Sequence, residues 1–470
     1  MTELLLLQRM NLVGSCTIRR PLALALPLSL ARTASPSASP PASPPASRLF
    51  SSTSPRPLIR DVSSLPDRIG PSYQETSVGL LALHWKQPPR NILLIPKLHA
   101  PRVVQDAARF AQHLHENHPD INIVFESRIA QRIHKDLPFP VYSTARSDPA
   151  TQFPNKIDLV TTLGGDGTIL RAASLFSLQS SVPPILSFSM GTLGFLGEWK
   201  FAEFKDAWTR VYCSATPNHP AKPKVLLRHR LKVGVYDEDG KNINNQMMPT
   251  STAEAHQRLR LLPLSAEQEA SLGIPGWEPP VKVPPTFHAV NELLLHRGGQ
   301  PHLAIIDVFV NNHFLTEAIC DGILVSTPTG STAYSLSAGG AIVHPLVGSL
   351  LITPICPRSL SFRPLVLPLD TKVVLRLSER NRGRELEVSI DGKRRTGASP
   401  GMEIRVQGET ITKADDGSWS GGVPCVIRDH HREKTQENDH DDDDDDNDDG
   451  WVGGLNGLLK FNYPFGKESA

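Results

Sequence analysis

The stretch VTTLGGDGTILRAASLF, Val160–Phe176, sets three glycines around a single carboxylate, between a β-branched run and an apolar helical stretch. Residues 156–163 read as a strand running into the glycines, and a helix is expected to start near Thr168. A turn at the carboxyl end of a strand is where open α/β sheets bind their ligands. Glycines at 164, 165 and 167 remove the side chains that would hold a phosphate away from the backbone. The helix beyond points free N–H groups and its positive dipole end into the same turn. Asp166 is then an anion in a place suited to anions, which makes sense if a cation bridges it or if it accepts a proton. Both uses point to phosphoryl transfer onto a hydroxyl, with Mg²⁺ neutralising the phosphates. No Gly-Lys-Ser/Thr follows, so the spacing is not a Walker A loop, and Leu170 at the third glycine position excludes G-x-G-x-x-G. Taken alone, the three glycines fit a structural turn equally well.

Upstream, NILLI (Asn91–Ile95) reads as a strand, Pro101 opens a helical run, and INIVF follows as a second strand. Downstream, PPILSF (Pro183–Phe188) is another strand. This alternation predicts an open parallel α/β domain over residues 61–222. After Pro223 the period falls toward two. VLLRHRLKVGVYD (Val225–Asp237), HAVNELLLHR (His288–Arg297), LAIIDVFVNNHFLTEAICDGILVS (Leu303–Ser326), TKVVLRL and RELEVSIDGKRR read as antiparallel strands. Asn311-Asn312 and Asp391-Gly392 tolerate the positive φ of type I′ hairpin turns. The expected fold class is α/β plus all-β, the second domain an antiparallel, sandwich-like unit over residues 223–427. A polar, proline-rich insertion over residues 238–285 is expected to be exposed. Residues 428–450 hold a solvated run of aspartates, Asp441 to Asp446. In residues 451–470, Trp451, Leu455, Leu458 and Leu459 share a helical face, so this segment is expected to dock on the body.

The first 60 residues read as an address: Glu3 is their only acid, seven arginines are spread along them, and Ser, Ala and Pro dominate. That composition describes a mitochondrial presequence, and the step Arg48-Leu49-Phe50-Ser51 resembles a matrix-peptidase cleavage site. A disordered N-terminus of a cytosolic protein is the alternative. The apolar pieces of this leader are too short and proline-broken to span a bilayer. A net charge of +1 argues against nucleic acid or an anionic membrane as the main partner. The five cysteines lie far apart with no C-x-x-C pair, which offers neither a zinc site nor a disulfide framework.

A second motif narrows the chemistry. In DGILVSTPTGSTAYSLSAGGAIVHP (Asp321–Pro345), Ser326, Thr327, Thr329, Ser331 and Thr332 crowd hydroxyls around Gly330 between a strand and a small-residue helix. Such a junction suits the sugar hydroxyls and phosphates of a nucleotide. Together with GGDGT, MGTLGFL (Met190–Leu196), NE (Asn291-Glu292) and ITPICPRSLSFRPLVLP (Ile352–Pro368), it makes the chain resemble the NAD kinases. GGDGT alone is shared with phosphofructokinases and lipid kinases, while the long threonine-rich motif is much more specific.

The resemblance implies the NAD kinase fold, ATP with Mg²⁺ as donor system, and NAD(H) as acceptor. Asp166 matches the family's catalytic aspartate, a general base for the 2′-hydroxyl of the adenosine ribose. Gly165, Gly167 and Thr168 would cradle phosphate, and Phe195 and Leu196 would line the dinucleotide pocket. Asn291 and Glu292 would bind NAD through polar groups, and Asp321 would hold the nicotinamide end or its ribose. Thr332, Ala333, Tyr334 and Ser337 would line the adenine and ribose region. Arg358 stands where many members have histidine, a form similar to the fungal mitochondrial NADH kinases. The implied protein is a homo-oligomeric kinase of the mitochondrial matrix with small-molecule partners. The rivals are a diacylglycerol-type lipid kinase and a non-catalytic NAD(H)-binding protein, the latter having no need of Asp166.

Overall fold

In NILLIP (Asn91–Pro96) all six residues are buried, which is how a strand covered on both faces reads. The computed structural model describes residues 59–77, 79–144, 149–191, 194–197, 199–216, 222–247 and 286–428, with Trp451, Leu455 and Leu459. Residues 1–58 of the expected leader and the acidic run lie outside the described residues.

The strand Asn91–Pro96 sits inside a mixed sheet. Its order is Ile59–Asp61, Val141–Ser143, Asn122–Phe125, Asn91–Pro96, Leu159–Leu163, Ile185–Ser189, Val423–Val426, Lys224–Arg228, Leu81–His84, Ser72–Glu75. Neighbours run parallel as far as Val423–Val426 and antiparallel beyond it. Helix Pro101–Asn117 buries Val103, Ala107, Phe110, Ala111 and Leu114 against one face, with Ile92 and Leu94 in the same cluster. Helix Asp166–Ser174 covers the other face, where Ile169, Ala172 and Ala173 meet Leu93 and Ile95. Each fully buried Leu, Ile or Phe among these contributes about 1.5–3 kcal/mol, and each alanine well under half of that. The doubly covered parallel sheet is the one expected from sequence.

The β half is two antiparallel sheets. One runs Phe287–Ala289, Leu231–Tyr236, Glu403–Gly408, Val373–Leu377, Ala304–Val310, His313–Cys320. The other runs Leu365–Pro368, Ser349–Ile355, Gly322–Ser326, Glu292–His296, Glu387–Ile390, Lys393–Arg394. Inward residues of both, such as Val233, Ile306 and Leu375 with Leu295, Ile323 and Leu350, share a single apolar cluster. Asn311 and Asn312 take φ of 49° and 67°, and Asp391 and Gly392 take 48° and 69°, the positive values a type I′ turn demands.

Several boundaries differ from expectation. The sheet begins at Ile59, and the strands Ser72–Glu75 and Leu81–His84 add a margin that sequence reading passed over. Lys224–Arg228 and Val423–Val426 belong to the mixed sheet, so the ends of the 223–427 segment are built into the α/β half. Each long alternating run breaks: at His229-Arg230, at Val290-Asn291 and at Asp321 the chain leaves one sheet for another. The insertion is not exposed throughout. Ile243 and Met247 are buried in the sandwich core, and the Asn244 side chain bonds the backbone of Val235 and Val233. Residues 248–285 lie outside the described residues. At the C-terminus the Trp451 ring meets the His344 ring edge-on at 4.7 Å.

Candidate active site

The helix after the glycines starts at Asp166, two residues earlier than expected, with Gly165 as its N-cap. The Asp166 carboxylate is therefore on the positive end of the helix, not merely near it. It turns back onto the loop after strand Ile185–Ser189, where Phe195 N–H donates to Oδ2 at 3.0 Å and Leu196 N–H to Oδ1 at 3.1 Å. Gly194 makes this approach possible, since a Cβ there would stand 2.0 Å from Asp166 Oδ1. The loop is held from beneath: buried Arg228 donates from Nη2 to the Phe195 carbonyl at 3.3 Å.

The three motif glycines divide by role. A Cβ on Gly164 would meet Thr168 Oγ1 at 2.2 Å, so this glycine and the buried Thr168 pack against each other. A Cβ on Gly165 or Gly167 would meet nothing within 4 Å. Packing gives no reason for these two to be bare, which leaves room for a ligand to approach. Leu196 corrects an expectation: its side chain is buried with Ile169 and Val290, so it reaches the site through its backbone N–H.

Val290 brings the second motif here, because it shares that apolar cluster with Ile169 and Leu196. Next to it, Asn291 and Glu292 are each 8% exposed, and Asn291 Oδ1 and Glu292 Oε2 have no hydrogen-bond partner. Ser326, opposite Glu292 across the sheet, has a buried Oγ in the same condition. Burial, reinforced by the nearby Asp391 carboxylate, pushes Glu292 up to about 7. Three unpartnered polar atoms grouped at one strand end are what a polar ligand would satisfy.

Much of the hydroxyl-dense turn works inward, against the expectation that it faces a nucleotide. Thr327 Oγ1 donates to the Val290 carbonyl and accepts from Gly330 N–H at 3.0 Å. Ser331 Oγ accepts from Val343 N–H at 3.0 Å, and Ser335 pairs with Thr353 at 2.9 Å. A Cβ on Gly330 would stand 2.1 Å from the Asn291 carbonyl oxygen, so the turn is clamped onto Asn291-Glu292. Small hydroxyl residues suit so tight a contact because they satisfy backbone groups locally. Thr332 and Ala333 are half-buried, and Tyr334 and Ser337 are exposed on the short helix Tyr334–Ser337. Asp321 lies at the other end of strand Gly322–Ser326, roughly 17 Å from Ser326 at ~3.3 Å per residue. Its carboxylate accepts from Arg297 Nε at 2.6 Å.

Two features escaped sequence reading. Arg228 is one. The other is a buried cluster where the α/β half meets the sandwich: Arg230 and Glu409, each 1% exposed, pair at 2.7 Å, and His288 Nε2 lies 3.3 Å from Glu409. Arg230 also donates to the carbonyls of Phe176 and Gln179, just beyond the helix that carries Asp166. Burial works against the Glu409 charge, yet hydrogen bonds from His288 and Arg230 hold it down to about 2. Period-two patterning carries no mark of such a cluster.

A carboxylate at a helix start, a glycine turn open to ligand and a partnerless polar strand end define a phosphotransferase acting on a nucleotide. The ATP-NAD kinase N-terminal domain matches residues 92–215 and the ATP-NAD kinase C-terminal domain matches residues 290–411. This chain belongs to the NAD kinase family. The mitochondrial NADH kinase of Schizosaccharomyces pombe is 36% identical over 87% of this chain and 87% of its own. That of Saccharomyces cerevisiae is 33% identical over 86% and 87%. The crystal structure of yeast NADH kinase complexed with NADH superposes with a TM-score of 0.66 at 31% identity, covering 87% of this chain and 99% of that one.

Proposed function

We propose that this NAD kinase transfers the γ-phosphoryl group of ATP to the 2′-hydroxyl of the adenosine ribose of NADH or NAD⁺, in the mitochondrial matrix. The observation that carries it is the Asp166 carboxylate, fixed by the Phe195 and Leu196 N–H groups, together with the unpartnered Asn291 Oδ1 and Glu292 Oε2 nearby. A carboxylate has about four lone-pair positions, so two N–H donors orient it and leave room for a substrate hydroxyl. Asp166 takes the hydroxyl proton as the ribose oxygen attacks phosphorus. The bare backbone at Gly165 and Gly167, with the helix N-terminus, receives the charge of the migrating group. Asn291, Glu292 and Ser326 hold dinucleotide hydroxyl or amide groups.

Among the described residues no cluster of three or more His, Cys, Asp or Glu could hold a metal alone. Mg²⁺, which needs only one or two protein carboxylates beside substrate phosphates, would be held at the glycine turn with Asp166 in reach and would neutralise phosphate charge. The arginine-rich, acid-poor leader and the two mitochondrial NADH kinases support matrix import and NADH as acceptor. Exposed Phe314, Leu315, Leu360 and Val366, of which Leu315 lines a groove together with Arg358, support a homo-oligomer.

The test is a coupled assay of the purified protein with ATP and Mg²⁺, comparing NADH with NAD⁺. NADPH formation at a higher kcat/KM than NADP⁺ formation is expected. Phosphorylation of diacylglycerol without either product would overturn the assignment.

A further inference from the structure

The tip of the hairpin Glu387–Arg394 reaches beyond its own strands. Asp391 sits at positive φ and aims its carboxylate across to the Asn291-Glu292 turn. Its Oδ2 accepts the Val290 N–H at 2.9 Å, and its Oδ1 accepts the N–H groups of Asn291 at 2.7 Å and Glu292 at 3.2 Å. Asp391 N–H in turn donates to the Glu292 carbonyl at 3.0 Å. Two residues further, Lys393 Nζ donates to Ser174 Oγ on the last turn of the helix that begins at Asp166. One hairpin tip thus grips the turn carrying Asn291 and Glu292 and is itself tied to the element carrying Asp166.

Val290-Asn291 is where the chain leaves one antiparallel sheet for the other, and the N–H groups of Val290, Asn291 and Glu292 turn to the Asp391 carboxylate. Buried backbone donors must be satisfied somewhere. An asparagine could close the same type I′ turn, so turn geometry alone does not require a carboxylate. A charge turned inward is costly unless it collects several donors. From these contacts we infer that Asp391 is a positioning residue for NAD(H). It fixes the turn that presents Asn291 and Glu292.

The charged groups around this turn come from four places. They are Asp391 and Lys393 on the hairpin and Arg395 after it, with Glu126, which follows strand Asn122–Phe125, and Arg171 on the Asp166 helix acting on Lys393. Of these, Asp391 acts directly on Glu292, in the same direction as burial. Removing its charge moves the Glu292 titration back toward the ordinary carboxylate range.

The inference rests on the proposed NAD(H) site, and the test separates the two. NADH binding is followed by fluorescence between pH 5.5 and 8.5 for the parent, Asp391→Asn, Asp391→Ala and Glu292→Gln, with far-ultraviolet dichroism confirming the fold. Absence of NADH binding by the parent would sink the site itself. If the parent binds, Kd is expected to rise about tenfold in Asp391→Asn and more in Asp391→Ala, since asparagine keeps an acceptor but not the charge. Turnover at saturating NADH should fall less than about threefold in Asp391→Asn. The parent's midpoint for pH-dependent affinity should move to lower pH in Asp391→Asn and vanish in Glu292→Gln. A loss of stability with unchanged Kd and unchanged midpoint would make Asp391 structural only and overturn the inference.

Discussion

The glycine turn and the Asn291-Glu292 turn meet across one apolar cluster, through Ile169, Leu196 and Val290, yet they hold their carboxylates in opposite ways. Asp166 has both oxygens engaged by backbone N–H groups before any ligand arrives. Glu292 keeps a buried, unpartnered Oε2 and is pushed up to about 7. The first arrangement suits the base proposed for Asp166, because its position is set without the substrate. The second is that of a binding group whose burial is offset only when a ligand supplies the missing partner. The contrast teaches that neighbours decide whether a carboxylate is held in place before a ligand arrives or waits for one.

The comparison breaks most sharply at Asp166. Asp166→Asn keeps the shape but removes the proton acceptor, and a placed base contributes about 10²–10⁴-fold. Turnover should fall by that range while NADH Kd stays within about threefold. Comparable losses in binding would place Asp166 with the binding groups. Gly194→Ala is next. Its Cβ would stand 2.0 Å from Asp166 Oδ1, forcing the carboxylate or the loop to move. A displacement of about 1 Å can cost roughly 10²-fold, so kcat should drop with the fold intact. Unchanged kcat would mean that the Phe195 and Leu196 contacts are incidental.

The remaining effects concern stability. Glu409→Gln leaves Arg230 buried without its counter-charge, a change that costs about 3–5 kcal/mol. Glu409 is depressed in the folded protein, so its contribution is present above its ordinary value of 4.5 and is lost as pH falls through about 2. Thermal melts of the parent should therefore weaken over that acid window, and melts of Glu409→Gln much less. Glu292 has the opposite sign. Its pKa is raised in the folded state, so its contribution is full below 4.5 and is lost as pH rises through about 7. Glu292→Gln should flatten the melting profile between those values. A profile still sloping as in the parent would remove Glu292 as its source.

The parallel half was legible because its signals are local. Six buried residues in Asn91–Pro96 and three glycines after Leu163 identify a covered strand and a ligand turn without reference to anything distant. The β half was legible as strands but not as sheets. A period of two persists unchanged when the chain leaves one sheet for another, so the breaks at Arg230, Asn291 and Asp321 left no mark in the pattern. The most important partners are also remote: Asp391 lies 101 residues from Val290, and Glu409 lies 179 from Arg230. Hydroxyls in STPTGST promised ligand contacts, yet Thr327 and Ser331 spend theirs on the backbone. Composition counts donors without saying which way they face.

The most direct measurement is a crystal structure of the protein with NADH and a non-hydrolysable ATP analogue. The ribose 2′-oxygen of the adenosine is predicted within about 2.6–3.2 Å of an Asp166 carboxylate oxygen, with Asn291 and Glu292 contacting the same dinucleotide. An adenosine ribose bound well away from Asp166, with another side chain at its 2′-hydroxyl, would contradict the account.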